Sequence, residues 1–283
     1  MSGVRDRLRG KVTVGDDGFV QEDPVDSYRM PLMEHLVELR KRVIYSLIAL
    51  MVSAVVCFGF APEIWAVLVS PMNHALHETG RGFMAMTSPI EGFMTYMRVA
   101  ALAAVALAAP VMFYQLWRFI APGLYPKEQR LIMPLVFSST TLFLGGGAFC
   151  YLIVFRFAFP LFLTVTTEDV QAVVSMDSYL SVAGTLLLSF GLAFQLPVVV
   201  YLLSVMGLVN HRDMVRMFRY AMVGIAVASA VITPTTDVLS QALLAIPLAV
   251  LYVLSIGVSY LFSTKKEAPP GDSAEPGPDA AAG

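Results

Sequence analysis

Six long apolar runs decide what this chain can fold into. About 20 consecutive apolar residues cross the ~30 Å hydrocarbon core of a bilayer as a helix, with every backbone polar group satisfied inside the segment. By that measure spans fall near residues 43–60, 93–116, 131–155 and 179–206. Two more follow near 220–232 and 238–260, separated by Thr233-Pro234-Thr235-Thr236-Asp237. A chain that is 57% hydrophobic and 14% charged over 283 residues is too apolar for a soluble domain. The expected fold is an all-α integral membrane protein with six transmembrane helices. Tyr220 to Ile232 reaches only ~20 Å as a helix, so short fifth and sixth spans are expected, recessed or thinning the bilayer. Pro110, Pro134, Pro160, Pro197 and Pro247 fall in or beside apolar runs and each removes a backbone donor. Bent helices in a concave arrangement should follow.

Lysine and arginine set the orientation. With the N-terminus inside, 16 of the 19 basic residues face the cytoplasm, and only Arg81, Arg98 and Arg156 remain on or near the outer side. An N-in, C-in topology is expected. Residues 1–28 are polar with no apolar core, so they read as a disordered extension and not a cleavable signal peptide. Residues 29–264 hold the membrane domain, and residues 265–283, rich in Pro, Gly and Ala, read as a disordered cytoplasmic tail. Cys57 and Cys150 lie in different spans, so no structural disulfide is expected. The net charge of −2 gives no sign of a nucleic-acid partner.

Two polar segments stand out against this background. Tyr114 to Arg130, YQLWRFIAPGLYPKEQR, joins the second and third spans. It is dense in aromatics, proline and mixed charge where a plain connector would be small and polar. Its one acid, Glu128, offers a site for a cation. Ahead of the first span, PLMEHLVELRKRV carries Leu32, Leu36, Leu39 and Val43 at helical spacing beside a charged face. Glu38 and Arg42 stand at i, i+4 and can pair. The segment is either an interfacial anchor held by Arg40, Lys41 and Arg42 or a helix presenting Glu38 as a recognition carboxylate.

HLVELRKR, TSPIEGFMTYMR (87–98) and YQLWRFIAPGLYPKEQR, followed by FLGGGAFCYLIVFRFAF (143–159), YLSVAGTLLLSFGLAFQLPVVV (179–200) and ITPTTDVLSQALLAIPL (232–248), resemble the TatC family in collinear order. This is the multispanning receptor subunit of the twin-arginine protein translocase, and the resemblance covers roughly residues 30–262. It implies a cytoplasmic face that binds signal peptides bearing two consecutive arginines, and passage of folded cargo driven by the proton-motive force. Two guanidiniums need acceptors in forked, planar geometry. Glu38 and Glu128 match the family's recognition acids, with Phe119, Pro122, Leu124 and Tyr125 shaping the wall and meeting the apolar part of the peptide. Arg40 matches a structural position that orients Glu38 or the loop. Pro71, Ser88, Pro89 and Glu91 resemble the family's outer cap, and Asp237 would cap the sixth helix. The implied partners are single-span TatA- and TatB-type subunits, further copies of this chain and membrane lipid, in the cell inner (cytoplasmic) membrane.

Gln195 departs from the pattern, since many relatives carry glutamate there. An amide can bond a partner helix or an inserted hairpin, but it carries no proton. No cofactor is implied. His74, His77 and Glu78 make a weak metal candidate without further ligands. Gly145-Gly146-Gly147 lies inside a span, so it serves helix packing and not phosphate binding. A secondary transporter would need inverted repeats and a polar midplane site. A membrane enzyme would need a nucleophile, an acid pair or a metal cluster. Neither is visible, and a non-enzymatic translocase receptor is the favoured reading.

Overall fold

The computed structural model describes residues 32–80, 82–120, 132–164, 173–209, 211–233 and 238–262. The N-terminal extension, the C-terminal tail, Pro122, Leu124, Tyr125, Glu128 and Asp237 lie outside the described residues. Six helical stretches are long and apolar enough to cross a membrane.

Helix α1, Leu32–Gly59, runs without a break from the charged segment through the first span. Helix α2, Ala61–Thr79, follows at once and lies on the outer side of the topology expected from the basic residues. Its buried residues Trp65, Leu68, Val69, Met72, Ala75 and Leu76 recur at helical spacing, which gives it one packed face. Gly80 closes α2 in the left-handed region at φ 60°, where its N–H reaches the Leu76 carbonyl. Strand β1, Phe83–Ala85, precedes helix α3, Glu91–Ile120.

The third span is helix α4, Ile132–Phe149, a π-helical turn, Cys150–Val154, and helix α5, Phe155–Thr164. Strand β2, Val173–Ser175, pairs in parallel with β1, Phe83 opposite Val173. Helix α6, Met176–Ala193, is capped by the Ser175 side chain. Phe194 and Gln195 break the fourth span before helix α7, Leu196–Val205, which has proline in its first turn. Helices α8, His211–Ile232, and α9, Val238–Phe262, form the last hairpin.

The last two spans are the shortest of the six, at 22 and 24 residues. The expected ~20 Å reach of the fifth needs correcting, because α8 begins nine residues before Tyr220 and so extends ~33 Å. Its first half, His211 to Arg219, is helical and mixes three arginines and Asp213 with Met214, Val215, Met217 and Phe218, and only the second half is predominantly apolar. The prolines act as their chemistry requires. Pro110, Pro160 and Pro247 lie inside helices, and Pro197 follows the break.

The main core packs Trp65, Phe155, Phe159, Tyr179 and Phe190 between α2, α5 and α6. Cys57, Ala61, Ala100 and Ala104 form a seam of small residues where the end of α1 and the start of α2 meet α3, which lets the backbones come close. Trp117, Leu135, Val198 and Leu202 pack a third cluster at the opposite end of the bundle from α2. Of the three consecutive glycines only Gly146 is pressed. A Cβ there would sit 2.7 Å from the Phe190 carbonyl oxygen, while Gly145 and Gly147 meet nothing within 4 Å. Cys57 and Cys150 are buried, unpaired thiols.

Candidate functional site

At the end of the bundle where α1 begins, Arg42 Nη2 donates to Glu38 Oε1 at 2.9 Å. Arg42 Nη1 donates to Gln115 Oε1 at 3.2 Å, so one guanidinium joins α1 to α3. The pair forms because i, i+4 residues share a helix face. His35 stacks on Phe119, ring centroids 4.4 Å apart and planes 19° from parallel. Of the two roles expected of Arg40, the loop lies outside the described residues and the contact with Glu38 is made by another residue. Two residues along a helix points a side chain to the far side, and Arg40 is exposed there with Val37, Lys41 and Tyr45. Arg42 makes that contact.

Below this polar layer an apolar groove of about 610 Å³ runs between α1, α3 and α6. Arg42, Gln115 and Phe119 stand in its wall with Leu39, Leu116 and Leu192. A second cavity of about 440 Å³ continues it toward α2, sharing Val105, Phe143 and Leu188. The result is a long apolar trough with a charged mouth. The helix stripe Leu36, Leu39 and Val43 is exposed, so it is not part of the core.

The opposite end is built around Glu91, which is 7% exposed. Its Oε2 accepts from the Thr87 hydroxyl at 2.8 Å, the Ser88 N–H at 3.2 Å and the Thr87 N–H. Its Oε1 accepts from the Asp177 N–H at 2.9 Å, across 86 residues of chain. Arg98 then pairs with the Asp177 side chain. Glu91 and Arg98, two turns apart on α3, thus meet the same residue at the start of α6. Pro89 is exposed in the turn that starts α3.

Pro71 lies inside α2 and not in a loop returning to the membrane, because the preceding residues already form one packed helical face. Its ring leaves the Val67 carbonyl without the usual i+4 donor. The Tyr151 hydroxyl donates to that carbonyl at 2.7 Å. The Tyr179 hydroxyl donates to the neighbouring Leu68 carbonyl. Side chains of the third and fourth spans thus reach the backbone of α2 one turn before Pro71.

Gln195 stands at the break in the fourth span, half-buried, and its amide donates to the Ser139 carbonyl at 3.0 Å. The Trp117 indole donates to the Ser139 hydroxyl at 2.9 Å. Ser139 therefore ties α3, α4 and the α6–α7 break together. Sequence reasoning missed Gln115, Asp177, Tyr151, Tyr179 and the strand pair. The α2 periodicity was there to find. The long-range partners carried no local signal.

A model of the family described as Sec-independent protein translocase protein (TatC) matches residues 34–247. The chain is 39% identical over 247 residues to the Sec-independent protein translocase protein TatC of Desulforapulum autotrophicum, covering 87% of this chain and 90% of that relative. It is 37% identical to the TatC of Escherichia coli K12 over 235 residues, 83% of this chain and 90% of the relative. A crystal structure of the twin arginine translocase receptor TatC in DDM superposes with a TM-score of 0.72 at 34% identity, covering 80% of this chain and 99% of that one. A second crystal structure of that receptor gives 0.69 at 33% identity. Six apolar spans, a trough with a charged mouth and these likenesses agree: the chain is a multi-pass membrane protein of the TatC family.

Proposed function

We propose that this chain is the receptor and scaffold of a twin-arginine translocase, binding signal peptides at the end of the bundle that carries Glu38. As a TatC-family member it is a transport component and not an enzyme. The observation that carries the reading is the joining of charge and trough: the Glu38–Arg42–Gln115 chain stands over an apolar groove of about 610 Å³. A signal peptide offers the matching pair, cations followed by an apolar segment. Among the described residues only Arg42 binds Glu38, through one oxygen, so Oε2 is placed to accept from an incoming guanidinium. Glu128, with Pro122, Leu124 and Tyr125, would complete the arginine site from the loop between α3 and α4. Phe119, already packed on His35, would form its floor.

In this reading both termini are cytoplasmic, the membrane is the cell inner membrane and the proton-motive force supplies the energy. Single-span TatA- and TatB-type subunits and further copies of this chain complete the complex. Gln195 and the α8–α9 edge are the candidate places for them, and Pro71, Pro89, Glu91 and Asp237 keep the assembly's outer end in shape.

The test is binding of the detergent-solubilised protein to a twin-arginine peptide and to the same peptide with two lysines. Preference for arginine, lost in Glu128→Ala and reduced in Glu38→Ala, is expected. Equal binding of the two peptides, or full binding by Glu128→Ala, would overturn the assignment.

A further inference from the structure

We propose that Arg42 is an internal competitor for Glu38: its guanidinium occupies the acid that an incoming signal-peptide arginine needs, and the peptide binds by displacing it. The proposal rests on the reading of Glu38 as a recognition acid, and it adds what sets the strength of that recognition.

Arg40, Lys41 and Arg42 follow one another on α1, and among the described residues only the third pairs with Glu38. That pair is 2.9 Å long and mostly out of solvent, its two side chains keeping 16% and 20% of their accessibility. A solvated i, i+4 pair has no third partner. Here Gln115 Oε1 on α3 accepts from the other terminal nitrogen at 3.2 Å. The guanidinium is thus divided between two acceptors. It reaches the carboxylate by one N–H and not by the forked pair of bonds that makes an arginine–carboxylate contact strong. Its third nitrogen, Nε, is buried and meets no acceptor among the described residues. The hold on Glu38 is present but weak.

The contact has the chemistry of the ligand. From Arg42 the chain runs into the largely apolar residues 43–51, and Arg42, Val43 and Leu47 stand in the groove wall. This is the same order of cation and apolar segment that a signal peptide brings. Glu38 carries one negative charge, and two guanidiniums on it at once would be neighbouring like charges. An incoming arginine that takes both carboxylate oxygens replaces the single N–H of Arg42 with two. Arg42, released from Glu38, keeps its bond to Gln115 and is in place to return when the peptide leaves. Arg40 and Lys41 stand with Val37 and Tyr45 on another side of the helix and do not compete. The result is a recognition acid whose affinity is held down, which suits a receptor that must release each signal.

The experiment titrates the full-length protein in detergent with a twin-arginine peptide, using the unaltered chain, Arg42→Gln, Glu38→Gln and the double variant. Arg42→Gln is expected to bind the peptide about three- to fivefold more tightly, the share that an ion pair of this exposure withholds. In the Glu38→Gln background the same substitution should change nothing, because Arg42 acts only through that acid. Should Arg42→Gln not fold, Arg42→Met, whose unbranched stem suits the apolar groove wall, takes its place in the same cycle. Weaker binding by Arg42→Gln would make Arg42 a brace for Glu38 and overturn the proposal, as would unchanged binding. An equal gain in both backgrounds would overturn it as well, since that is the mark of lost positive charge in general. Preference of the unaltered protein for arginine over lysine tests the underlying receptor reading, and that result is read separately from the change made at Arg42.

Discussion

Two glutamates, one near each end of the bundle, are treated in opposite ways. Glu91 accepts from four donors on Thr87, Ser88 and Asp177 and is almost fully buried. Among the described residues Glu38 meets one guanidinium through one oxygen, and about a fifth of its side chain remains accessible. A carboxylate has room for roughly four hydrogen bonds. Glu91 has filled that capacity within the chain and can offer a ligand nothing, whereas Glu38 has kept most of its capacity open. An acid that builds and an acid that recognises are told apart by what is left over.

Substitution should separate them. Glu91→Ala is expected to have the largest effect on folding, because it removes the acceptor of three part-buried N–H groups on Thr87, Ser88 and Asp177 and unties α3 from α6. Its apparent Tm in detergent should fall further than that of any variant at Glu38; equal melting temperatures would break the comparison. Glu38→Gln should leave the Tm nearly unchanged, since an accessible ion pair contributes only ~0–1 kcal/mol. Its affinity for a twin-arginine peptide should drop about tenfold or more, the effect of losing a charge-assisted hydrogen bond. Unaltered affinity, measured by peptide titration, would remove Glu38 from the site. Tyr151→Phe removes the donor to the Val67 carbonyl freed by Pro71 and should destabilise by about 0.5–1.5 kcal/mol, the bond being exposed. Hydrogen exchange in α2 reads this directly, and unchanged protection would mean another donor serves the kink. Arg98→Ala should matter least, at most ~1 kcal/mol, because its pair with Asp177 is half exposed. A loss as large as that of Glu91→Ala would mean the brace works through charge and not through the buried hydrogen bonds.

How far the sequence could be read follows the range of each interaction. Six spans and the Glu38–Arg42 pair are local patterns of length, residue type and i, i+4 spacing, and both were legible. Gly146 was legible as a packing glycine, but which of three glycines touches Phe190 depends on the rotation of α4 against α6. Gln115 beneath Arg42, Asp177 beneath Glu91 and Tyr151 above Val67 lie 73 to 86 residues away from their partners. Nothing in a local window selects them. The fifth helix is longer than its apolar run, because hydropathy marks where lipid begins while the backbone stays helical through Arg212, Arg216 and Arg219. The strands β1 and β2 are three residues each, too short for any alternation to register.

The strand pair and Glu91 also fix where this molecule is able to move. They clamp the first turn of α3 to the first turn of α6, so α3 behaves as a lever with its fulcrum at Glu91. A lever of 30 residues is ~45 Å long, and each degree of tilt swings its free end by ~0.8 Å. The far end carries Gln115 and Phe119, held in turn by Arg42 and His35 of α1, and Trp117, held by Ser139 of α4. Widening the mouth of the trough by the width of a side chain, a few degrees of tilt, would therefore have to part Gln115 from Arg42 and Trp117 from Ser139.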